Sequence, residues 1–248
     1  MASRQPLALT IAGSDPSGGA GLQADVATFA AGGCRAAAVV TAITVQDGRR
    51  VLSWEPVREA LVRDQLRAVL GSKEPAAIKT GMLGTAGVAR AVAAELRGVR
   101  APLVCDPVMI SSSGHPLLEE SAVPALREEL LPLCALVTPN AREAGALSGF
   151  DVRDPDGAER AGRALLQLGA HAALVKGGHF ETGRGIDVLV TAAGARHFAA
   201  EWIEGADVHG TGCVLSAAIT AHLARGATLE EAVSLGKRLV TERIRAAD

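Results

Sequence analysis

Gly210-Thr211-Gly212-Cys213 is the stretch whose residue types bear most directly on chemistry. Two glycines flank a threonine, and the chain then enters a helical pattern in which Val214, Leu215, Ala218, Ile219 and Leu223 share one face. A turn of this kind at a helix start aims unpaired backbone N–H groups outward, where the helix dipole favours negative charge. Without side chains, Gly210 and Gly212 let an anion approach the backbone closely. Cys213 falls in the first turn, a position that predicts a lowered thiol pKa. The same residues also read as a glycine-bearing turn before a buried helix, with Cys213 a small core residue.

Further polar sets follow short apolar runs: Lys79-Thr-Gly-Met82, Asp106-Pro-Val-Met109, Thr138-Pro-Asn-Ala-Arg-Glu143 and Lys176-Gly-Gly-His179. Asn140 and Glu143 stand three apart, so both can face one point from the first turn of a helix and offer oxygen ligands to Mg²⁺ or its waters. Each set alone has a plainer explanation: Asp106-Pro107 as turn chemistry, Asn140 as a helix cap, Lys176 as a solvated charge. Together they make the inventory of phosphoryl transfer: metal, cation, backbone cradle, and a group to handle a hydroxyl proton.

The first glycine-rich loop reads differently. Gly13-x-x-x-x-Gly18 begins like a P-loop but lacks the Lys and Ser/Thr that must follow. Gly19-Ala-Gly-Leu-Gln-Ala24 matches the dinucleotide fingerprint, and an NAD-dependent oxidoreductase is the reading that rests on it alone. No acidic residue clearly ends the next strand, since Asp47 lies beyond it. Asp25, one turn into the following helix, reads as a substrate contact.

These sets need a scaffold that gathers strand ends. Apolar runs predict strands over residues 7–12, 36–45, 51–54, 76–79, 103–105, 135–138 and 172–176. Helical patterns fall over 22–31, 56–70 (opened by Pro56), 86–96, 121–131 and 158–168, and two more close the chain over 213–224 and 229–245. An antiparallel hairpin is predicted over 186–191 and 196–202. Alternating strands and helices argue for a mostly parallel α/β sheet, which puts the polar strand ends on one side.

At 248 residues and 48% hydrophobic, the chain can build one large α/β domain spanning 1–248. A net charge of −2, scattered basic residues and no Tyr argue against nucleic-acid binding. The four cysteines are far apart with no C-x-x-C pair, which disfavours zinc and disulfide frameworks and fits a reducing compartment. No signal-peptide core or bilayer-length apolar run is present, so a soluble, cytoplasmic protein without a membrane partner is expected.

Ala12-Gly-Ser-Asp-Pro-Ser-Gly-Gly-Ala-Gly-Leu-Gln-Ala-Asp25, Lys79-Thr-Gly-Met-Leu83, Asp106-Pro-Val-Met109, Thr138-Pro-Asn-x-x-Glu143, Lys176-Gly-Gly-His179 and His209-Gly-Thr-Gly-Cys213 occur in that order. The set resembles the hydroxymethylpyrimidine/phosphomethylpyrimidine kinase family of thiamine biosynthesis, within the ribokinase-like superfamily, from about Leu7 to Arg225. The resemblance implies a three-layer sandwich: a mostly parallel central sheet, helices on both faces and an antiparallel edge hairpin. It also implies two ATP- and Mg²⁺-dependent phosphorylations, of 4-amino-5-hydroxymethyl-2-methylpyrimidine and then of its monophosphate. By the same resemblance Gln46 pairs with the aminopyrimidine edge, and Gly13, Asp25, Met82 and Val108 line its pocket. Asn140 and Glu143 (through water) organise Mg²⁺, with Asp106 a further candidate ligand. Lys176 meets the ATP phosphates, Gly210, Thr211 and Gly212 form the anion hole, and Cys213 stands where the sugar kinases carry an aspartate. A homodimer is implied as well.

Several positions depart from the family's usual pattern: Asp47-Gly48 for Asn-Thr, Ser112 and His115 for Lys and Asp, and Val214 for Thr; a usual tail after the last helix is also missing. Two neighbouring readings are a pyridoxine/pyridoxal kinase of the same superfamily and a catalytically impaired pyrimidine-binding homologue.

Overall fold

The apolar run near the N-terminus becomes β1 (Leu7–Ser14), buried along nearly its whole length because sheet lies on both sides of it and helices above and below. The structure is a computed structural model and describes residues 5–178, 180–202 and 210–247. His179 and His209, each part of a motif in the sequence reading, lie outside the described residues.

From one edge to the other the sheet runs β3 (Val51–Pro56), β2 (Arg35–Gln46), β1, β4 (Ala77–Thr80), β5 (Leu103–Cys105), β6 (Leu136–Val137), β7 (Ala172–Val175), β8 (Ile186–Thr191) and β9 (Gly194–Ala199). Strands β2, β1, β4, β5, β6 and β7 are parallel. At the edges, β3 and the β8–β9 hairpin run antiparallel. Side-chain alternation sorts the core into two layers. Val104, Leu136 and Leu174 face α7 (Thr211–Ala224) and α8 (Leu229–Ala247), meeting Leu215, Ile219 and Val233. Leu103, Cys105 and Val137 face the other way, onto Val62 and Leu66 of α2 (Glu59–Ser72) and Val88 and Val92 of α3 (Ala86–Leu96). Helix α1 (Gly21–Ala31) lies beside α7, where Phe29 packs with Ala217 and Ala221. Helices α5 (Ala141–Ser148) and α6 (Pro155–Gln167) cover β7 and β8 through Ala144, Ala161, Val175 and Val188. The result is the expected three-layer α/β sandwich.

Several boundaries differ from the sequence reading, each for a local reason. Pro56 does not open a helix: it ends β3 opposite Ala42, at a sheet edge where a missing N–H is tolerated, and α2 begins at Glu59. The single helix expected over 121–131 is instead a short α4 (Val123–Ala125) between a 3₁₀ turn and a π turn, and a second 3₁₀ turn containing Pro132 closes it. Helix α6 starts three residues early because Asp154 caps it, accepting from Gly157 N–H at 2.7 Å, with Pro155 at the first helical position. The second hairpin strand starts at Gly194 and ends at Ala199, since Thr191 pairs directly with Gly194 across the turn. Among the described residues no helix is long and apolar enough to cross a membrane.

Candidate active site

Six parallel strands deliver their carboxyl ends to one side, and the polar sets meet there. Lys176, just past β7, forms a parallel bridge with Asn140 and donates its backbone N–H to Pro139 O at 2.8 Å. Its ammonium reaches Asp106, beyond β5, at 2.8 Å, and Ser216 of α7 donates its hydroxyl to the other oxygen of that carboxylate at 3.0 Å. The lysine side chain is 15% exposed, so it is not the solvated charge that one alternative held it to be. Burial pulls its pKa down, but Asp106 and Glu143 together more than reverse this and hold it above the usual lysine value.

Asn140 caps α5 as the plainer reading expected, in a reciprocal arrangement. Its side-chain oxygen accepts from Glu143 N–H at 2.9 Å, and Glu143 Oε2 accepts from Asn140 N–H at 2.8 Å. Glu143 Oε1 takes a longer 3.4 Å bond from Met109 N–H. Burial pushes this carboxyl up to about 7; Asp106 adds to the rise and Lys176 opposes it.

The start of α7 carries no side-chain cap, and Gly210 adopts φ 80°. A Cβ on Gly210 would lie 2.0 Å from Gly19 O, and one on Gly212 would lie 3.2 Å from Lys176 Nζ. The two glycine loops therefore touch backbone to backbone, with the lysine over the helix start. Cys213 is half-buried beside them. Its first-turn position predicts a lowered thiol pKa, and the structure reverses that expectation. Burial pushes the thiol up to about 11, with Asp106 and Asp25 adding to it, against the opposing pull of Lys79 and a hydrogen bond from Gly21 N–H. Desolvation outweighs the helix dipole.

The first glycine loop is not a dinucleotide cradle. Asp15 takes its N–H groups inward: Oδ1 accepts from Ser17 N–H and Oδ2 from Ala20 N–H, both at 2.8 Å. Asp25 is wholly buried, with both oxygens 2.8 Å from Lys79 Nζ and one 2.6 Å from the Thr10 hydroxyl. Lys79 is equally buried; burial works against its ammonium, but the Asp25 and Asp106 carboxylates hold it charged.

Next to this charged floor lies a small apolar cluster of Ala42, Val51, Met82 and Leu117, with Trp54 and Val108 at its margin. Gly13 sits at a register shift in β1, and a Cβ there would approach Met82 Sδ to 3.0 Å. Gln46, at the end of β2, shares a strand face with Ala42 and Thr44 and donates from Nε2 to Thr44 Oγ1 at 2.9 Å. The residues 106–109 join the two halves, with Asp106 in the charged floor and Val108 at the apolar margin.

The family model described as phosphomethylpyrimidine kinase matches residues 15–248. The chain belongs to that family. It is 45% identical to a hydroxymethylpyrimidine/phosphomethylpyrimidine kinase of Rhizobium meliloti over 244 residues, covering 98% of this chain and 91% of the relative. A phosphomethylpyrimidine kinase of Clostridium difficile 630 superposes with TM-score 0.86 at 39% identity, covering 97% of this chain and all of that one. The pyridoxal kinase of Staphylococcus aureus, solved with AMP-PCP and pyridoxal, gives TM-score 0.89 at 31% identity over 98% of this chain and 89% of its own.

Within this phosphomethylpyrimidine kinase fold the departures have local structural work. Asp47 Oδ1 accepts from Arg49 and Arg50 N–H groups, and Gly48 takes φ 84°, so the pair closes the β2–β3 turn. The loop at 111–115 is closed on itself: Ser111 N–H donates to His115 O and His115 N–H to Ser111 Oγ, both at 2.9 Å. Sequence reasoning missed Ser216, Thr10 and the inward role of Lys79. Ser216 did leave a signal, a hydroxyl at i, i+4 from Thr220 in a mostly apolar helix.

Two predictions follow from the charges. Lys79→Met leaves Asp25 buried without a counter-charge and should cost about 3–5 kcal/mol in urea denaturation, most of it recovered in Lys79→Met/Asp25→Asn. Glu143 binds its proton more tightly folded than unfolded, so its contribution is full below about pH 4.5 and is lost as pH rises through about 7. The stability difference between wild type and Glu143→Gln should therefore move by about 3 kcal/mol against the wild type between pH 4.5 and 8.

Proposed function

We propose that this chain is an ATP-dependent kinase acting on 4-amino-5-hydroxymethyl-2-methylpyrimidine and then on its monophosphate, in thiamine biosynthesis. The observation that carries the reading is the junction of Asp106, Glu143, Lys176 and the uncapped start of α7 with the apolar cluster whose Val51 pairs with Gln46. The ring lies between Met82 and Val108, with Gly13 leaving room and Gln46 meeting the polar ring edge. The hydroxymethyl oxygen then faces the turn Gly210-Thr211-Gly212, whose N–H groups receive the transferring phosphoryl oxygens. Lys176 neutralises phosphate charge, and its pairing with Asp106 keeps the ammonium in place. Asp25 and Lys79 act from beneath as supports.

Among the described residues no group of three or more His, Cys, Asp or Glu side chains forms a metal cage. Glu143 and Asp106 nonetheless suit Mg²⁺, which is commonly held by one or two carboxylates plus water and substrate phosphates. Asn140 and Glu143 (through water), with Asp106 beside them, are the set that would hold it. Bound there, the ion would supply charge neutralisation on the ATP phosphates. As the alcohol oxygen bonds to the γ-phosphorus and ADP leaves, the alcohol proton passes to Cys213 in its thiolate form, a form that burial keeps scarce at neutral pH.

A second reading, phosphorylation of pyridoxal, is favoured by the likeness to the Staphylococcus aureus enzyme. We also place the protein in the cytoplasm, in keeping with its four free thiols, and as a homodimer. The β2–β3 ribbon at the sheet edge leaves Ile43, Val45 and Leu52 each more than half exposed, and edge ribbons of that kind need covering. A second copy is the occupant proposed.

A coupled ADP-release assay with product analysis should detect the phosphorylated pyrimidine only with ATP and Mg²⁺, and in preference to phosphorylated pyridoxal. Absence of any phosphorylated pyrimidine from folded protein would overturn the reading and point to the impaired homologue. Cys213→Ala should lower kcat by about 10²–10⁴-fold with little change in KM. Because the thiol lies at about 11, wild-type kcat/KM should climb from pH 7 to 10, and the climb should vanish in the Ala variant. Light scattering should find a dimer that Val45→Asp turns into a monomer; a monomeric wild type would remove the dimer.

A further inference from the structure

Thr44 is buried at 5% exposure, and its hydroxyl carries a single proton. That proton is committed to Ser14 O, 2.8 Å away across the β1–β2 pair. Toward Gln46, 2.9 Å away, the same oxygen can therefore only accept. This donor–acceptor pattern decides which end of the carboxamide is nitrogen. Nε2 faces Thr44, and Oε1 points away from it. Among the described residues no donor reaches Oε1.

We propose that Thr44 is a specificity-determining positioning residue: through Ser14 O it locks the Gln46 carboxamide in one orientation, so the site accepts a ring edge that pairs an amine with an acceptor nitrogen and refuses the reverse edge. The inference rests on the pyrimidine reading above and deepens it. An aminopyrimidine offers its amine N–H to Oε1 and its ring nitrogen to the remaining N–H of Nε2. In the 4-oxo analogue, a carbonyl replaces the amine and a ring N–H replaces the nitrogen, so lone pair meets lone pair and proton meets proton. A free glutamine would rotate its amide by half a turn and bind either. Here the rotated amide would set Oε1 against a Thr44 oxygen whose only proton is already taken. The flip then requires Thr44 to give up its hydrogen bond to the partly buried Ser14 carbonyl.

The test compares kcat/KM and dissociation constants for the 4-amino substrate and its 4-oxo analogue in wild type, Thr44→Val and Thr44→Ser. Thr44→Val keeps the shape and loses the acceptor, so the amino-over-oxo preference should fall by about tenfold or more. Thr44→Ser restores the hydroxyl and should restore the wild-type preference, which a packing role for the methyl group would not predict. Thr44→Ala takes the place of Thr44→Val if the latter does not fold. A preference unchanged in the hydroxyl-less variant overturns the proposal. A second readout needs no substrate: the ¹⁵N side-chain amide signals of Gln46 in the ligand-free protein should shift in Thr44→Val and return in Thr44→Ser. If wild type binds neither pyrimidine, the pyrimidine reading falls, and these amide signals alone decide whether the tie exists; unmoved signals overturn it.

Discussion

Two lysine ammonium groups sit where the carboxyl ends of a parallel sheet meet α7, and water does not solvate either one well. Lys79 is fully buried and Lys176 nearly so, and a charge in that setting persists only beside an opposite one. The requirement reaches far beyond the contacts themselves. Asp25 must face β4 from α1, which sets the rotation of that helix. Asp106 must leave β5 toward the exit of β7, and Ser216 then ties the same carboxylate to α7. Charge neutrality in a dry layer thus fixes how one helix from each end of the chain lies on the sheet.

The set is not fully neutral. Asp25, Asp106 and Glu143 face two lysines; burial raises Asp25 and pushes Glu143 up to about 7, with Asp106 adding to the rise at Glu143. The site therefore keeps one group that is close to half-protonated at neutral pH, placed where arriving cationic charge would drive the proton off.

Much of this was legible in the sequence, and the limits have physical causes. Short apolar runs ending in Lys79, Asp106, Thr138 and Lys176 revealed strands and their polar ends because a strand buried on both faces leaves no other pattern. Parallel topology then made the convergence a matter of geometry. The pairing of Lys79 with Asp25 was not legible: the partners lie 54 positions apart, and nothing local distinguishes an inward lysine from one leaving a strand. Cys213 failed for a related reason. A helix-start rule is local, whereas desolvation depends on everything packed around the thiol, and here it dominates. Pro56 misled because a proline that can open a helix can equally end an edge strand.

The contact between the two glycine loops separates what in this molecule can vary from what cannot. Where Gly210 meets Gly19, main chain lies on main chain, with no side chain that a substitution could trim or reshape. Gly21 is held as tightly, since a Cβ there would fall 2.4 Å from Gly13 O. The apolar cluster beside Gln46 is built the other way, from the exchangeable side chains Val51, Trp54, Met82, Val108 and Leu117. Substitution is channelled accordingly: the apolar cluster can be reshaped one side chain at a time, whereas the two glycine loops leave no side chain to exchange where they meet.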